Sequence, residues 1–533
     1  MLRVAMLLSA VLSITSAQEW TARYSTGDQN SEEALALAVD PYGCTYVAGY
    51  AQGITVVKYS PNGETLWTRT LDDINRRACG QMAAALDPMY DLELVVAIYP
   101  CPLNGFRVIK YAQLGNLRRD TVYQHSSSVT QPSNIYPVSI NVRSTGRTLI
   151  AGTSCSDSAG TGSDIVTYSL DPAGRVDWIK YFDGQRHQDD RATSLTSDRD
   201  GHVLVAGYAQ DASHHDDAVV LKYDTDGTLL WSYVHRPNTN FQSRAYDVRV
   251  TPGGEVYASG WLKEYGQSDQ CLLIKISPNG DSVWSRTDST ENTTLTLDSL
   301  GNVYMTGCIR RSSPATPDLR TWKYSPTGQR LWRVDYEDTL ASGTFGRDVL
   351  LNSDQGVFST GRRWMSPGRT DYMVAKYRPD GTRAWVTLAD KPGDFIDIPK
   401  TSLLDVHGDV IMTGTSTDWH TGYSDFLTMK FLAAGAVEEP SPPSRVADKA
   451  PTATPTVVTG RCRFALPDGT ARSGLRILDA TGRTVREVAV PANENAVAWD
   501  ATDNTGRPVP NGVYFVTGRN SNVHPAAKFL VQR

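Results

Sequence analysis

The densest group of side chains that could do chemistry is His214 and His215, followed directly by Asp216 and Asp217, with residues 186–191 (RHQDDR) shortly before them. Imidazole and carboxylate groups this close could bind a divalent metal or act as acid and base. The alternative is solvated loop charge, because adjacent residues on one loop seldom converge on a single ion. We therefore take His214 and His215 as candidate ligand-binding residues and assign no metal ligand.

Two arginines form a second candidate site. Arg191 and Arg244 occupy equivalent positions in neighbouring copies of a repeat that is described below. Such a pair could receive an anionic group, and the alternative is ordinary salt bridging to Asp189 or Asp190. No ring of one charge is expected, because the equivalent positions elsewhere are Glu33, Tyr136, Glu291, Gly346 and Ile398.

Aromatic side chains in the long connections are the third candidate. Trp364 and Trp419, the latter followed by His420, could stack on a sugar or a peptide. The alternative is that each tryptophan covers the end of its own sheet.

Motifs for covalent catalysis and metal binding are missing from the sequence. There is no Gly-x-Ser-x-Gly motif or other recognisable nucleophile, which argues against a hydrolase, and no cysteine or histidine spacing for zinc. Residues 198–201 and 500–503 are rich in Asp, yet neither segment matches a full calcium loop. We expect no cofactor, with calcium as the alternative.

The elements that must position these residues are short strands. Residues 192–234 read as four strands of alternating apolar residues, with tight Asp-Gly turns after the first and third strands. A Lys-Tyr marker in the third strand, such as residues 56–59 (VVKY) and 220–223 (VLKY), occurs in eight variants along the chain. The spacing between copies, 48 to 53 residues, is typical of propellers and is set by Trp178, Trp231, Trp284, Trp332 and Trp385.

A second marker ends each second strand near a glycine, as in residues 43–49 (GCTYVAG) and 301–307 (GNVYMTG). Together the markers resemble the secreted bacterial β-propeller repeats called SBBP repeats, over roughly residues 19–437. The resemblance implies an all-β fold, and eight copies predict an eight-bladed β-propeller. Residues 20–24 (WTARY) read as a lone fourth strand, so we expect this N-terminal strand to close the last blade, which lacks one.

The connections between strands predict where a ligand would bind. Turns between the first and second strands and between the third and fourth are short and repetitive, whereas the other connections are long and dissimilar. In an antiparallel meander these two kinds of connection lie on opposite faces. The variable face is therefore the expected binding surface.

The N-terminus and the composition suggest an exported protein. Residues 1–17 read as a signal peptide, and no later apolar run approaches the roughly 20 residues that span a bilayer. The net charge of −6 offers no basic surplus for nucleic acid. Seven cysteines are present; Cys79 and Cys101 are the best candidates for a disulfide, and the alternative is that most cysteines are buried small hydrophobes.

The C-terminal region changes character twice. Residues 437–459 are rich in Pro, Ser, Thr and Ala and predict a linker, and residues 460–533 predict six strands of a small Ig-like sandwich. The stretches LRILDATGRTVREV, WDATDNTGRPVPNGVYFVT and KFLVQR resemble the C-terminal sorting domain of the type IX secretion system, which shares its Ig-like pattern with the flagellar hook-capping family. A generic Ig-like module is the alternative, because the usual opening Asn-Pro is missing.

The sorting resemblance implies export to the outer surface of a Gram-negative bacterium through the secretion machinery, often with removal of the domain. We expect residues 18–436 to form a non-enzymatic propeller that binds a protein or glycan ligand on its variable face. The alternatives are a lyase or glycan hydrolase acting at the channel mouth and a structural spacer of a surface layer. Three or more converging acidic, His or Arg side chains would favour the enzyme, and dispersed charges around exposed aromatic rings would favour the binder.

Overall fold

Short strands joined by turns account for the described part of the chain. The structure, a computed structural model, describes residues 18–27, 31–71, 82–97, 105–124, 135–154, 162–184, 187–211, 213–236, 241–310, 317–338, 341–365, 368–389, 395–435, 452–454, 457–458, 462–465, 475–479, 483–489, 496–518 and 527–531. The predicted signal peptide, Cys79 and Cys101 lie outside these residues. The chain divides into a first unit, Met1–Val437, and a second unit, Glu438–Arg533.

No helix within the described ranges combines the length and the hydropathy that a bilayer crossing needs.

The strands of the first unit form a series of four-stranded meanders, preceded by β1 (Gln18–Tyr24). Meanders 1 to 4 consist of β2 to β17: Glu33–Val39, Thr45–Tyr50, Ile54–Tyr59, Thr65–Leu71; Met82–Leu86, Leu92–Ala97, Gly105–Tyr111, Leu117–Gln124; Ile135–Val142, Thr148–Ser154, Ile165–Leu170, Val176–Phe182; Asp190–Ser197, Val203–Gln210, Asp216–Tyr223 and Leu229–His235. Meanders 5 to 8 consist of β18 to β32: Phe241–Val250, Val256–Glu264, Gln270–Ile276, Ser282–Asp288; Glu291–Leu297, Val303–Arg310, Pro317–Tyr324, Arg330–Tyr336; Gly343–Leu351, Val357–Met365, Arg369–Tyr377, Arg383–Ala389; Phe395–Leu404, Val410–Asp418 and Ser424–Phe431.

Strand pairing follows chain order within each meander, and every such pair is antiparallel. Among the described residues, meanders 1 to 6 are separate sheets, whereas meanders 7 and 8 share a sheet through one parallel bridge between Thr370 and Ile396. Meander 8 has three consecutive strands of its own. Its fourth strand is β1, which pairs antiparallel with β32.

The Asp and Gly of the repeat build the turn between the first two strands. In meander 1, Asp40 Oδ1 accepts hydrogen bonds from the backbone N–H groups of Tyr42 (3.0 Å) and Cys44 (2.8 Å). Gly43 follows at a φ of 80°, which a residue without a Cβ adopts at little cost. The same carboxylate cap appears in later meanders, for example at Asp298 and Asp405. Turn chemistry therefore explains these two repeat positions.

The Lys of the Lys-Tyr marker stabilises the same turn from the third strand. Lys58 Nζ lies 3.4 Å from Asp40 Oδ2, and Lys222 Nζ lies 3.1 Å from Asp198 Oδ2, with all four side chains largely buried. A hydrogen bond from Lys58 Nζ to the Tyr46 hydroxyl, 2.7 Å long, adds a further contact. Equivalent ion pairs are Lys110–Asp87, Lys323–Asp298 and Lys430–Asp405.

Tryptophans of the fourth strands form hydrogen bonds and packing contacts with the next meander. Trp178 Nε1 donates to the Thr225 carbonyl, 3.0 Å away, and its ring lies where a Cβ at Gly227 would clash at 2.7 Å. Meander 2 has Arg119 at this position, and there Tyr123 donates to the Gly174 carbonyl instead, at 2.5 Å. The remaining donor and carbonyl pairs are Trp20–Pro61, Trp67–Gln113, Trp231–Pro278, Trp284–Pro326 and Trp332–Pro379.

The core of the first unit lies between adjacent meanders. One apolar cluster joins meanders 1 and 2 through Tyr46, Leu94 and Ile109, all nearly inaccessible to solvent. Another joins the two ends of the unit, with Trp20 of β1, Val47 of β3 and Phe426 of β32 in one cluster. Meander 8 thus packs against meander 1 as other neighbours pack against each other.

The second unit contains two sheets that share one core. A three-stranded sheet has the order β33–β35–β38 (Thr452–Thr454, Cys462–Ala465, Ala496–Trp499), and a five-stranded sheet has the order β34–β40–β39–β36–β37 (Val457–Val458, Ala527–Val531, Gly512–Gly518, Leu475–Asp479, Thr484–Val488). Trp499 packs with Ile477 and Val516 between them. β33 and β34 lie inside the segment 437–459 that composition assigned to a linker. Both are very short, three and two residues, and pairing with β35 and β40 makes them strands.

Candidate functional site

A β-bulge interrupts the first strand of seven meanders, all except meander 2 among the described residues. Opposite the bulge lies the glycine of the second-strand marker, such as Gly207 facing Ala192 and Gly260 facing Ala245. A Cβ at Gly207 or Gly260 would overlap the carbonyl oxygen of Arg191 or Arg244. The glycine therefore allows the close approach that the bulge needs.

The residue before each bulge faces the residue that follows the marker glycine, and we call these two residues a rim pair. Three rim pairs combine an arginine with an aromatic ring: Arg191 with Tyr208, Arg244 with Trp261, and Phe345 with Arg362. The other rim pairs that the structure describes are Glu33–Tyr50, Tyr136–Thr153, Glu291–Cys308 and Ile398–Thr415.

One position differs from the sequence prediction. Counting along the repeat predicts Gly346 in the rim of meander 7, but the structure places Phe345 there. The turn that follows β26 is the cause. Asn352 Oδ1 accepts the Gly356 N–H and Gln355 has a φ of 62°, so Asn352 occupies the position of Asp40, one residue earlier than the turn glycine suggests. Counting back from Asn352 gives Phe345.

Three neighbouring cavities are lined by the rim pairs. Cavity A, about 500 Å³, is lined by residues of meanders 3 to 5, including Tyr136, Arg191, Tyr208, Arg244 and Tyr246. Cavity B, about 510 Å³, shares Tyr246 and extends to meander 8 with Cys308, Phe345, Arg347, Asp348, Arg362 and Lys400. Cavity C, about 400 Å³, shares Ile398 and Lys400 and adds Glu33 and Tyr50 of meander 1.

Arg244 is held in cavity A by stacking and by one carboxylate. Its guanidinium carbon lies 4.6 Å from the Tyr208 ring centre and 5.4 Å from that of Trp261. Nε donates to Asp216 Oδ2 at 2.6 Å, and Asp216 is only 2 % exposed. Burial alone would lower the pKa of Arg244, but the hydrogen bond and charge of Asp216 outweigh it and raise the pKa. Arg244 is thus a fixed cation between two rings.

Arg191 shares the cavity with Arg244 but is held more loosely. It is 52 % exposed, and its nearest carboxylate oxygen is Asp189 Oδ2 at 3.6 Å. Asp190 points elsewhere: it is buried, accepts hydrogen bonds from the backbone of Gly184 and Gln210, and has its pKa raised to about 7 by burial. The structure therefore brings the two predicted arginines together and also shows the predicted bridge to Asp189.

Arg362 reverses the arrangement of Arg244, with the arginine on the second strand and the ring on the first. Its guanidinium carbon lies 5.0 Å from the Phe345 ring centre. Within the described residues no carboxylate pairs with it. Burial lowers the pKa of Arg362, the neighbouring Cys308 acts against this, and the charge of Arg347 lowers the pKa further. Cavity B thus holds a cation without a counter-ion.

The histidine cluster does not converge on one point. Asp211 Oδ1 accepts hydrogen bonds from the backbone of Ser213 (2.7 Å) and His215 (3.0 Å), which closes a turn with His214 exposed at a φ of 59°. Asp216 and Asp217 face Arg244 and Arg236. The carboxylates of the motif are therefore used in ion pairs, separately from the imidazoles.

Trp364 lies near the end of the second strand of meander 7, opposite Gly343, and Trp419 lies in the connection after the second strand of meander 8. Neither lines cavity A, B or C. They are 41 % and 55 % exposed. The Trp419 ring packs over Gly368, where a Cβ would clash at 2.6 Å, so this tryptophan covers the adjacent connection. Stacking of Trp364 or Trp419 on a sugar or a peptide stays a prediction.

Two groups of side chains have a spacing that could suit a cation. The ligand atoms of Asp164, Asp183 and Asp190 lie within 4.8 Å of one another, and so do those of Asp198, Asp200 and His202. The latter group is engaged in the turn network, since His202 and Lys222 both bond Asp198.

Sequence reasoning missed Arg362, Phe345, Tyr208 and Trp261. A signal for three of them was present, because each directly follows the marker glycine of its second strand, at Gly361, Gly207 and Gly260. The residue after this glycine faces the rim in every meander whose rim the structure describes.

The chain was also compared with known proteins. The pattern of the FlgD Ig-like domain family matches residues 452–521, within the second unit. No curated protein matches the chain in sequence.

Among solved structures, the chain is similar to the WD40 domain of SCAP from fission yeast (10 % identity, 78 % of this chain, 98 % of that chain, TM-score 0.42). It is also similar to PorZ, a surface component of the type-IX secretion system of Porphyromonas gingivalis (13 % identity, 94 % and 66 %, TM-score 0.35). A third similar structure is an ancestral GH74 enzyme (13 % identity, 96 % and 63 %, TM-score 0.42).

Proposed function

We propose that the first unit is a binding protein that takes a protein or glycan ligand on the rim of its variable face and does not catalyse a reaction. The observation that carries this proposal is the set of three rim pairs in which an arginine faces an aromatic ring. Guanidinium groups and ring faces together bind sugars and anionic groups by stacking and charge-assisted hydrogen bonds.

The carboxylates of the cavities support binding over catalysis. Glu33 Oε1 lies 2.5 Å from Lys400 Nζ, and Asp348 Oδ2 accepts two hydrogen bonds of 2.9 Å from Ser402. No histidine lines cavities A to C in the described residues. A lyase or glycan hydrolase needs a free acid or base near the substrate, and both lining carboxylates are already engaged. Burial raises the pKa of Tyr208 and Tyr246 in cavity A, which disfavours either tyrosine as a base.

The test is binding of the full chain to panels of glycans and extracellular proteins, followed by two matched variants. Arg191→Gln alters the rim at an exposed side chain, whereas Arg286→Gln removes an arginine stacked 5.3 Å from the Trp284 ring on a fourth strand, outside the cavities. We expect Arg191→Gln to weaken binding several-fold and Arg286→Gln to leave it unchanged. Cleavage of a bound glycan would establish the enzyme instead, and a rim without any ligand would favour the spacer.

The proposal includes the finer fold and the route of export. We infer that the eight meanders are blades of one closed propeller, with β1 completing the eighth, supported by the β1–β32 pairing and the cluster that joins Trp20 to Val47. The match of residues 452–521 to an Ig-like family supports a C-terminal sorting domain that delivers the propeller to the outer surface of a Gram-negative bacterium.

Intact-mass spectrometry of protein from the cell surface and medium tests this route. A mass that begins at Gln18 and ends between residues 437 and 459 is expected for signal removal and sorting. A mass that runs to Arg533 would make the second unit a permanent module.

A further inference from the structure

Cavity B contains a cation whose charge nothing in the described structure neutralises. Arg362 is partly buried beside Phe345, and the basic group that acts on its charge is another arginine, Arg347. Leaving such a charge uncompensated is costly, so arginines in this setting usually have a carboxylate partner. The missing partner is what an anionic ligand would supply.

A second arginine lines cavity B and lies close enough for its charge to act on Arg362. Arg347 Nε donates to the Lys400 carbonyl at 2.8 Å, and within the described residues the terminal nitrogens of this exposed side chain have no hydrogen-bond partner. No carboxylate forms an ion pair with Arg347 in the described residues. Among the described side chains, the carboxylate in the lining is Asp348, which accepts two hydrogen bonds from Ser402 and also interacts with the charge of Arg347. Cavity B therefore carries more positive than negative charge.

A planar anion fits two arginines better than a spherical one. A guanidinium donates two parallel hydrogen bonds to a carboxylate, and the Phe345 and Tyr246 rings beside the arginines offer faces for the C–H surface of a sugar. A volume of about 510 Å³ is within the range of small-ligand sites. A sugar that bears a carboxylate combines both requirements.

The neighbouring cavities favour a polymer over an isolated anion. Cavities A and C have similar volumes, share lining residues with cavity B, and each contain a cation, Arg191 and Arg244 in one and Lys400 in the other. Lys400 is paired with Glu33 and Arg244 with Asp216, so the exposed Arg191 of cavity A is the cation best placed to bind a second acidic unit of such a ligand. An acidic peptide shares the charge but has no ring to place on Phe345.

We propose that cavity B binds the carboxylate of a uronic acid unit in an acidic glycan, with Arg362 as the anion-binding residue and Arg347 as its partner. This inference rests on the proposed binding function and names its ligand class. It also predicts that the glycan extends from cavity B along the rim and places further acidic units in cavities A and C.

The test uses the full chain and a short oligogalacturonate, with the carboxyl-reduced form of the same oligomer as the neutral probe. By calorimetry, we expect the oligogalacturonate to bind at least tenfold more tightly than the reduced oligomer, because charge-assisted hydrogen bonds to arginine are lost on reduction. Arg362→Gln should weaken binding about tenfold, Arg362→Lys less than that because the charge remains, and Arg286→Gln not at all. Melting temperatures of the variants confirm that each one is folded.

Equal binding of the neutral oligomer, or full binding by Arg362→Gln, would overturn the inference. A short polyglutamate that binds as tightly as the oligogalacturonate would overturn the glycan class. If instead the panels yield a ligand that is lost in Arg191→Gln but kept in Arg362→Gln, the proposed function stands and this inference fails. If the rim binds no ligand at all, both the proposed function and this inference are wrong.

Discussion

Arg244 and Arg362 are the same side chain in two electrostatic settings. Arg244 stacks on aromatic rings and has Asp216 at 2.6 Å, whereas Arg362 stacks on Phe345 without a carboxylate in the described residues. Removing the first leaves a buried negative charge, and removing the second relieves a buried positive one. The stability of the protein should therefore respond in opposite ways at the two positions.

We expect Arg244→Met to lower the free energy of unfolding by about 2 kcal/mol, because the Gln210 amide is then the one hydrogen-bond donor left to Asp216 among the described residues. Arg362→Met should be neutral or stabilise the protein by up to about 1 kcal/mol. Chemical denaturation of both variants measures the difference. Equal losses would show that Arg362 is a structural residue.

Asp190 predicts a pH dependence of stability. Burial, with the charges of Asp164 and Asp183, raises its pKa from an ordinary value near 3.8 to about 7. The native state therefore holds a proton that the unfolded chain has lost, and raising the pH from about 4 to about 7 favours the unfolded state. Relative to Asp190→Asn, the unchanged protein should lose roughly 1–2 kcal/mol of stability between pH 5 and 8, a value discounted for solvent screening. Thermal unfolding of both at several pH values checks this, and parallel curves would contradict it.

At the scale of elements, meander 5 separates two roles of glycine. Gly266 has a φ of 84° and open space around it. Gly280 has a φ of 95°, and the Trp231 ring lies 2.7 Å from where an added methyl group would be. Gly253 has neither a positive φ nor a close neighbour at that position. We expect Gly253→Ala to be near neutral, Gly266→Ala to cost about 1 kcal/mol, and Gly280→Ala to cost about 2–3 kcal/mol. Melting temperatures of the three variants rank them, and equal costs for the last two would show that the tryptophan yields.

Strand order and turn positions were predictable because each depends on local chemistry. The Asp-Gly turns and alternating apolar residues recur along the repeat, and hydrogen bonds within four residues, such as Asp40 to Cys44, hold each turn. The rim was predictable only in part. In meander 7 the turn has its positive φ at Gln355 and not at Gly356, so counting from that glycine predicted Gly346 where Phe345 lies. The side chains around Arg362 come from several meanders. The spacing of residues within one copy of the repeat therefore does not show whether a carboxylate lies beside this arginine.

At the scale of the whole molecule, Trp20 joins the two ends of the first unit. It is 9 % exposed, donates Nε1 to the Pro61 carbonyl at 2.9 Å and packs over Gly63. Trp20→Ala should cost about 3 kcal/mol, because a large buried ring and a hydrogen bond are lost at once. Trp364→Ala, at a side chain 41 % exposed, should change the stability by less than about 0.5 kcal/mol. Denaturant titration compares the two, and a small loss for Trp20→Ala would show that the ends are held by other contacts.

The pairing of β1 with β32 also limits how early the first unit can complete its folding during synthesis. Arg23 of β1 bonds Asp425 of β32 across 402 residues of chain. At a synthesis rate of about 5–20 residues per second, the partner emerges roughly 20–80 s after the strand that waits for it. β1 therefore has to stay without its partner strand until nearly the whole first unit has been made, so this unit can join its two ends only after its last strand is available.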